Sequence, residues 1–427
     1  MKHFVFIESN TTGTGQIAVE RLLARGNRIT FLTRSRTKYG FLANSKAGLS
    51  VLELDTNDRF AVLGAMRTIQ VLEGVDAVLT FSEFYVPTAG EAAMTLGLPG
   101  LDPEAARICR HKPSTRHALQ KAGLLTPEFH LVTSPHEALR LSKTIFYPCV
   151  VKPPSDSSSR GVRLVYDAAE FIEHYNAIHS WKENVRGQGL NGDVLVEAVL
   201  EGPEYSVETF TLPNGAHHVI GVTDKHLSQP PWFVEVGHDF PSRASAAIRE
   251  SLARTVLRAL TAVKFNFGPA HTEIRWTSNG PAVVEINPRL AGGMIPELVY
   301  YATGIDLLQC WTDLLLGNTV DLSPKHAASA SIRFLTAPFP GCIREVRGVR
   351  EAVAIPSVRE VFVARKVGDS VKAAADAYDR LGFVIGSGSN PSVVMHEVRR
   401  AVQTIEIEVD PLALAGCSLA AQGRVPA

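Results

Sequence analysis

No apolar run in this chain approaches the ~18 to 20 uninterrupted residues that a membrane helix needs, so no helical span is read from it. Charge of one sign is also missing. Lys plus Arg and Asp plus Glu both number 43, and the formal net charge of zero leaves none of the basic footprint expected of a nucleic-acid-binding protein. Cysteine is scarce: Cys109, Cys149, Cys310, Cys342 and Cys417 form no CxxC pair and no paired spacing. That scatter argues against a disulfide framework or a zinc cage and for reduced thiols in a cytoplasmic protein. The first apolar stretch, Phe4 to Ile7, ends at Glu8, too short for the core of a signal peptide, and reads as a buried strand. Trp181, Trp232, Trp276 and Trp311 do not interleave with basic residues, so they read as packing groups and not as a stacking row for bases. No internal repeat is present.

What remains is the composition of an ordinary globular protein, 45% hydrophobic and 20% charged over 427 residues, a length that fits roughly two to four domains. From residue 1 to about 110, short strands at Phe4 to Ile7, Ile29 to Leu32, Leu52 to Leu54 and Ala77 to Thr80 alternate with helical segments, one of them from about Gln16 to Arg25. Such alternation predicts a parallel sheet with helices on its faces. The turn Ser9 to Gly15 invites a dinucleotide reading, but its spacing is not GxGxxG. Thr33-Arg34-Ser35-Arg36 stands where the ribose-binding acid is expected, so NAD is set aside.

Residues 111–198 predict a small α+β unit, with strands at Phe129 to Val132, Cys149 to Lys152, Val162 to Val165 and Val194 to Glu197. Its helices are expected at Thr115 to Ala122 and Ala168 to His179. Directly after the apolar strand ending at Lys152 comes Pro153-Pro154-Ser155-Asp156-Ser157-Ser158-Ser159-Arg160-Gly161. Small residues there offer N–H groups and hydroxyls to phosphate oxygens and can close over them, and Lys152 adds charge. A solvated Ser-rich linker is the plain alternative. Residues 199–330 form a further expected unit, 331–410 another compact one, and 411–427 a loose tail.

The densest chemistry lies in 199–330. Glu273, in His271-Thr272-Glu273, precedes Glu285-Ile286-Asn287-Pro288-Arg289 by twelve residues. Strand alternation points Glu285 and Asn287 to one face and Ile286 to the other, and Pro288 ends the strand. Two carboxylates and an amide oxygen are hard donors suited to magnesium, which is usually held by one or two carboxylates plus substrate phosphates. Arg289 supplies a permanently charged planar fork. A chance acidic pair in a surface hairpin is the alternative. Zinc is not read at His271, because no third His or Cys stands at ligand spacing.

Lys112, Lys152 with its Ser-rich loop, Leu195 to Glu208, Glu273 and Glu285 to Arg289 come in the order found in the ATP-grasp enzymes, which the chain resembles over about residues 1 to 330. Within that superfamily it most resembles the L-amino acid ligases, on Phe233-Val234-Glu235-Val236-Gly237-His238, Gly292-Gly293, Val367-Gly368-Asp369 and Asp379-Arg380-Leu381-Gly382. The resemblance implies an α/β protein of the ATP-grasp fold. Its parts are an N-terminal doubly wound parallel-sheet domain, a small α+β lid, a larger antiparallel-sheet α+β subdomain and a C-terminal ligase-type unit.

Carried over residue by residue, the resemblance assigns Lys112, Lys152, Ser157, Ser158, Ser159 and Gly161 to the ATP phosphates, Glu197 and Val199 to the adenine edge, and Glu204 to the ribose hydroxyls or a nearby polar group of the nucleotide. Glu273, Glu285 and Asn287 hold magnesium, with manganese as an alternative. Arg289, Gly292 and Gly293 stabilise an acyl phosphate. Glu235 and His238 face the two amino-acid substrates, against a bland reading as a surface acid and a structural histidine. Three weaker candidates complete the set. Glu83, at a strand's carboxyl end, contacts substrate or starts a helix; Lys225 faces the active site or solvent; Arg333 pairs with a carboxylate of substrate or protein. The implied activity is dipeptide synthesis from two amino acids in the cytoplasm, with no membrane or nucleic-acid partner and a homodimer left open. An ATP-grasp carboxylase, biotin-carboxylase-like or nucleotide-biosynthetic, or another carboxylate-amine ligase of primary metabolism is the alternative, and a non-catalytic nucleotide-binding protein a further one.

Overall fold

The computed structural model describes residues 1–411 except Thr12 and Ser45. Cys417 and the expected tail from Leu412 lie outside the described residues.

The amino-terminal strands His3–Ile7, Arg28–Thr33, Leu49–Glu53 and Ala77–Leu79 form a four-stranded parallel sheet in which the first strand lies between the second and the fourth. Their alternation decides the packing. Phe4, Phe6, Ile29 and Phe31 enter one core with Leu79, while Val5, Ile7 and Leu32 enter another with Val78, so both faces are covered, as parallel strands require. The first core continues through Leu290, Ile295, Leu298, Ile332 and Phe334, tying this sheet to the rest of the molecule.

A second, antiparallel sheet joins Phe129–Val132, Val194–Ala198, Cys149–Lys152 and Arg163–Val165 in that order. Phe171 and Tyr175 of the helix Ala168–His179 fill its covered face with Val151, Val165 and Val196. The helix expected from Thr115 begins three residues earlier, at Lys112, because Pro113 sits in the first turn, where no amide hydrogen is needed. Lys112 therefore stands at a helix start.

The largest sheet has eight antiparallel strands, in the order Gly280–Asn287, Gly268–Thr277, Glu204–Thr211, His217–Leu227, Glu235–Phe240, Ser329–Leu335, Gly382–Gly388 and Val358–Val363. The boundary drawn at 330 thus falls inside a strand, and residues on both sides of it share one sheet. Beyond it, Gly341–Arg347 pairs with Ser370–Val371 and Glu406–Asp410, while the helix Pro391–Thr404 packs on the strands Ser329–Leu335 and Gly382–Gly388. Cys109, Cys149 and Cys310 are free, buried thiols. Among the described residues no helix is long and apolar enough to cross a membrane.

Candidate active site

One cavity collects side chains from the parallel sheet, the lid, the large sheet and the C-terminal segment. Its floor is the hairpin of Gly268–Thr277 and Gly280–Asn287, whose register sets Glu273 opposite Glu285 and His271 opposite Asn287. Ile286 is buried on the far face, as the alternation requires.

Cations reach the two carboxylates from different elements. Lys112 Nζ lies 3.0 Å from Glu285 Oε1 and 3.2 Å from the Asp156 carbonyl. Lys225, almost fully buried, is ringed by Glu273 at 2.7 Å, Glu235 at 2.8 Å and Glu204 at 3.0 Å. Burial alone would lower its pKa, but the three carboxylates outweigh it and raise the value well above the ordinary range. Lys152 Nζ lies 2.5 Å from Glu197, whose other oxygen contact is Arg116 Nε at 2.9 Å. Burial opposes the charged form of Glu197, yet Arg116 and Lys152 hold its pKa down at about 2. Its carboxylate is therefore spent inside the protein. Val150, Val162, Leu200, Leu227, Phe233 and Val284 give this end of the cavity apolar flanks beside the lysines.

At the other end Arg289 Nη2 lies 3.0 Å from Glu83, which also meets Arg110 at 3.4 Å. Glu83 begins a short 3-10 turn and lines the cavity as well, so its two sequence readings both describe its position. Burial would raise its pKa, but Arg289, Arg110 and Ser157 keep it low. Arg289 Nε is buried without a hydrogen-bond partner, as are both ring nitrogens of His238, whose Nε2 lies 3.7 Å from Glu235. Glu235 is clamped by Arg380 at 2.8 Å, and Arg380 lies over the Phe334 ring at 3.8 Å. A Cβ on Gly293 would come within 2.7 Å of His238 Nε2, so glycine there lets the chain pass the imidazole.

The Ser-rich loop is held from two sides. Asp156 accepts hydrogen bonds from the Ser157 amide at 2.9 Å and Arg160 at 2.7 Å, and the Ala377 amide reaches the Ser158 carbonyl at 3.1 Å. Ser158 and Ser159 both adopt φ of 58°, an uncommon conformation for residues with a Cβ.

Lys112, Lys152, Ser157, Ser158, Ser159, Glu197, Val199, Glu204, Glu235, His238, Glu273, Glu285, Asn287, Arg289, Gly292, Gly293, Glu83 and Lys225 all line this cavity. Two candidates do not. Gly161 turns away at φ +70, where its lack of a side chain lets Trp181 pack against it. Arg333 is turned into the sheet, where Asp239 on the neighbouring strand takes its guanidinium at 2.8 and 3.0 Å. Sequence reasoning missed Arg116, Asp156, Arg186 and Tyr378 and gave Arg380 no role. For Arg116 a signal existed: it stands four residues after Lys112 on one helix, hence on the same face.

The oxygen donors fit magnesium. Glu273, Glu285 and Asn287 are brought together by register, and two carboxylates with an amide match an ion that leaves coordination positions for phosphates. Among the described residues no three His, Cys, Asp or Glu side chains gather into a self-sufficient metal cage.

Two imidazoles here titrate in opposite senses. Burial works against charging His271, but Glu208, 2.9 Å from Nδ1, and Glu273 raise its pKa from 6.5 to about 9. Burial lowers that of His238 from 6.5 to about 3. The stabilisation from charged His271 is complete below 6.5 and is lost as pH rises through about 9, whereas His238 costs stability as pH falls from 6.5 toward 3. His271→Gln should flatten the alkaline limb of the denaturant-unfolding midpoint between pH 6.5 and 9 and leave the acid limb in place. An unchanged alkaline limb would show that His271 is not charged in the fold.

Comparison with known proteins adds family information. Residues 145–297 match the ATP-grasp domain model, and residues 333–410 match L-amino acid ligase C-terminal domain 2. The uncharacterized protein y4rH of Sinorhizobium fredii is 30% identical over 415 residues, which is 96% of this chain and 84% of that protein. Alanine–anticapsin ligase of Bacillus subtilis is 26% identical over 266 residues; the match covers 58% of this chain and 56% of that ligase, about half its length. The crystal structure of an L-amino acid ligase from Bacillus licheniformis superposes with a TM-score of 0.81 at 24% identity, over 96% of this chain and 99% of the other, a likeness of fold.

Proposed function

The chain belongs to the ATP-grasp superfamily and is most like its L-amino acid ligases, and from that premise we propose that it joins two amino acids into a dipeptide at the expense of ATP. The observation that carries this reading is a single cavity lined both by Lys112, Lys152, Glu273 and Glu285, suited to nucleotide phosphates, and by Arg289, Glu235 and His238, suited to substrates, with Lys225 joining Glu273 to Glu235.

In the proposed reaction a carboxylate oxygen of the first amino acid attacks the γ-phosphorus of ATP, and ADP leaves. The neutral amine nitrogen of the second then attacks the acyl carbon, the acyl C–O bond to phosphate breaks, and the proton lost from nitrogen leaves with the departing phosphate. Glu273, Glu285 and Asn287 would hold magnesium, which would supply charge neutralisation at the phosphates. Lys112 and Lys152 stabilise the transferring phosphoryl group, a task made mostly of positioning and charge. Val199 offers the adenine its backbone, since the Glu197 carboxylate is already paired. Glu204 lies at the ribose end. Arg289, with its unspent Nε, and the backbone at Gly292 and Gly293 stabilise charge developing at the acyl carbon. Neutral His238 accepts a hydrogen bond from the attacking amine, and Glu235 attracts an ammonium group. The Ser157 to Ser159 loop, tied down by Ala377, keeps water from the acyl phosphate.

The relative that acts on anticapsin supports a place in making a small peptide natural product such as an antibiotic or toxin. The test is release of ADP and phosphate with a broad panel of amino-acid pairs, including nonproteinogenic ones, followed by mass analysis of the product. Stimulation that needs both partners and yields their dipeptide is the expected result. Bicarbonate-dependent ATP cleavage with no amine, or no stimulation by any pair, would sink it.

A further inference from the structure

Every lysine and arginine on the cavity wall except one pairs with a carboxylate: Lys112 with Glu285, Lys152 with Glu197, Arg289 with Glu83, and the others likewise. The exception is Arg186, which makes no ion pair among the described residues. Its guanidinium donates only to neutral oxygens, from Nη2 to the Ser9 carbonyl at 2.7 Å and from Nη1 to the Tyr39 hydroxyl at 3.3 Å. Among the cavity's cations it is the one with no carboxylate in direct contact, so its guanidinium is free to pair with an anion that enters the cavity.

Its surroundings are built to hold it. Arg186 stands between the helix Ala168–His179 and the strand Val194–Ala198, in a turn wound around buried Asn184, whose Oδ1 accepts from the amides of Arg186 at 2.8 Å and Gln188 at 3.1 Å. The Arg186 carbonyl is in turn gripped by Arg34 Nη1 and Asn57 Nδ2, both at 3.1 Å, which docks the lid's turn onto the parallel sheet. The nearby carboxylate of Glu8 favours the charged guanidinium through space but makes no direct ion pair with it. Glu8 is 2% exposed and already accepts from the Tyr39 hydroxyl, Thr33 at 3.1 Å, Thr56 at 2.8 Å and the Arg34 amide at 2.7 Å. Because the Tyr39 hydroxyl donates to Glu8, it presents a lone pair to Arg186 and orients it. Ser82 Oγ, buried without a partner on the same wall, is a further unspent donor.

We propose that Arg186 forms the carboxylate-binding subsite for an amino-acid substrate, taking a carboxylate that is not the one phosphorylated. This rests on the ligase reading above. A dipeptide keeps the α-carboxylate of its second residue, and an acidic side chain is the other source of the same group.

The test compares matched probes that differ only in that charge: L-alanine against L-alaninamide as the amine substrate, and L-glutamate against L-glutamine and L-aspartate against L-asparagine in either place. For one pair the wild-type enzyme should show a KM lower by on the order of tenfold or more for the carboxylate member. Arg186→Gln should erase that ratio while the KM for ATP stays within about twofold, and Arg186→Lys should restore part of it. The pair that responds identifies the carboxylate. A ratio unchanged in Arg186→Gln, or one never seen in the wild type, overturns the proposal, as does an equal rise in KM for both members, which would make Arg186 a strut between lid and sheet. If Arg186→Gln does not fold, Arg186→Lys carries the same comparison. Thermal shifts of the wild type and variant with these probes and Mg-ADP need no turnover, so a failed ligase reading remains distinguishable from a failed subsite.

Discussion

Arg289→Ala should lower the rate of dipeptide formation by about two to three orders of magnitude, the cost of removing one preorganised donor from a developing oxyanion, while the KM for ATP changes by no more than about twofold. The geometry separates these two effects. Arg289 follows directly on the strand that carries Glu285 and Asn287, but its guanidinium points to Glu83 and keeps Nε free of any protein acceptor. Glu83 retains Arg110 when Arg289 is lost, so the buried carboxylate is not orphaned and the fold should survive. Arg289→Lys tests the shape of the group as well as its charge. A point ammonium cannot satisfy Glu83 and a reacting oxygen with the same planar fork, and only a minor part of the rate should return. Product formation by mass analysis, read beside ADP release, is the measurement. Loss of ATP affinity in proportion to loss of dipeptide would move Arg289 into nucleotide binding or folding.

What the sequence made legible was whatever depends on near neighbours along the chain. Phe4, Phe6, Val5 and Ile7 announce a strand buried on both faces, and Glu285-Ile286-Asn287 announces two oxygen donors on one face of a strand, because period two holds wherever a strand forms. Pairings across the chain were not legible. For Arg333 the reading left a carboxylate of substrate or of protein open, because its protein partner, Asp239, is 94 residues away and becomes its neighbour only through strand register. Arg380 reaches Glu235 across 145 residues, and Arg186 reaches Ser9 across 177. Neither distance has a local signature. Gly161 looked like part of a phosphate-binding loop on composition, yet its left-handed φ serves packing against Trp181, a contact that depends on where the helix Ala168–His179 ends. The ordered motifs still pointed to the cavity, since Lys112 and Lys152 stand at element ends, Glu285 lies near the end of its strand, and Glu273 is set opposite it by register.

Glu285→Gln should have an effect of similar size with a different signature. The amide has the same shape as the carboxylate and still offers Lys112, 3.0 Å away, an oxygen to bond, so the hairpin register and the buried Ile286 should be kept. What disappears is a negative charge facing Glu273 across the two strands. A magnesium site with few protein donors depends on each carboxylate, and replacing a direct ligand should cost at least the roughly 10- to 100-fold seen for outer-shell partners. The half-saturating magnesium concentration for ADP release should therefore rise by at least about tenfold, with kcat still reduced by about a hundredfold at saturating metal, because Lys112 is then released from its counter-charge. Glu273→Gln should behave differently at Lys225, which keeps Glu235 and Glu204 and stays neutralised. A magnesium titration at fixed ATP separates the two variants. If Glu285→Gln lost activity with an unchanged magnesium dependence, Glu285 would be the partner of Lys112 alone, and the metal would have to be held by Glu273 and Asn287 with the phosphates.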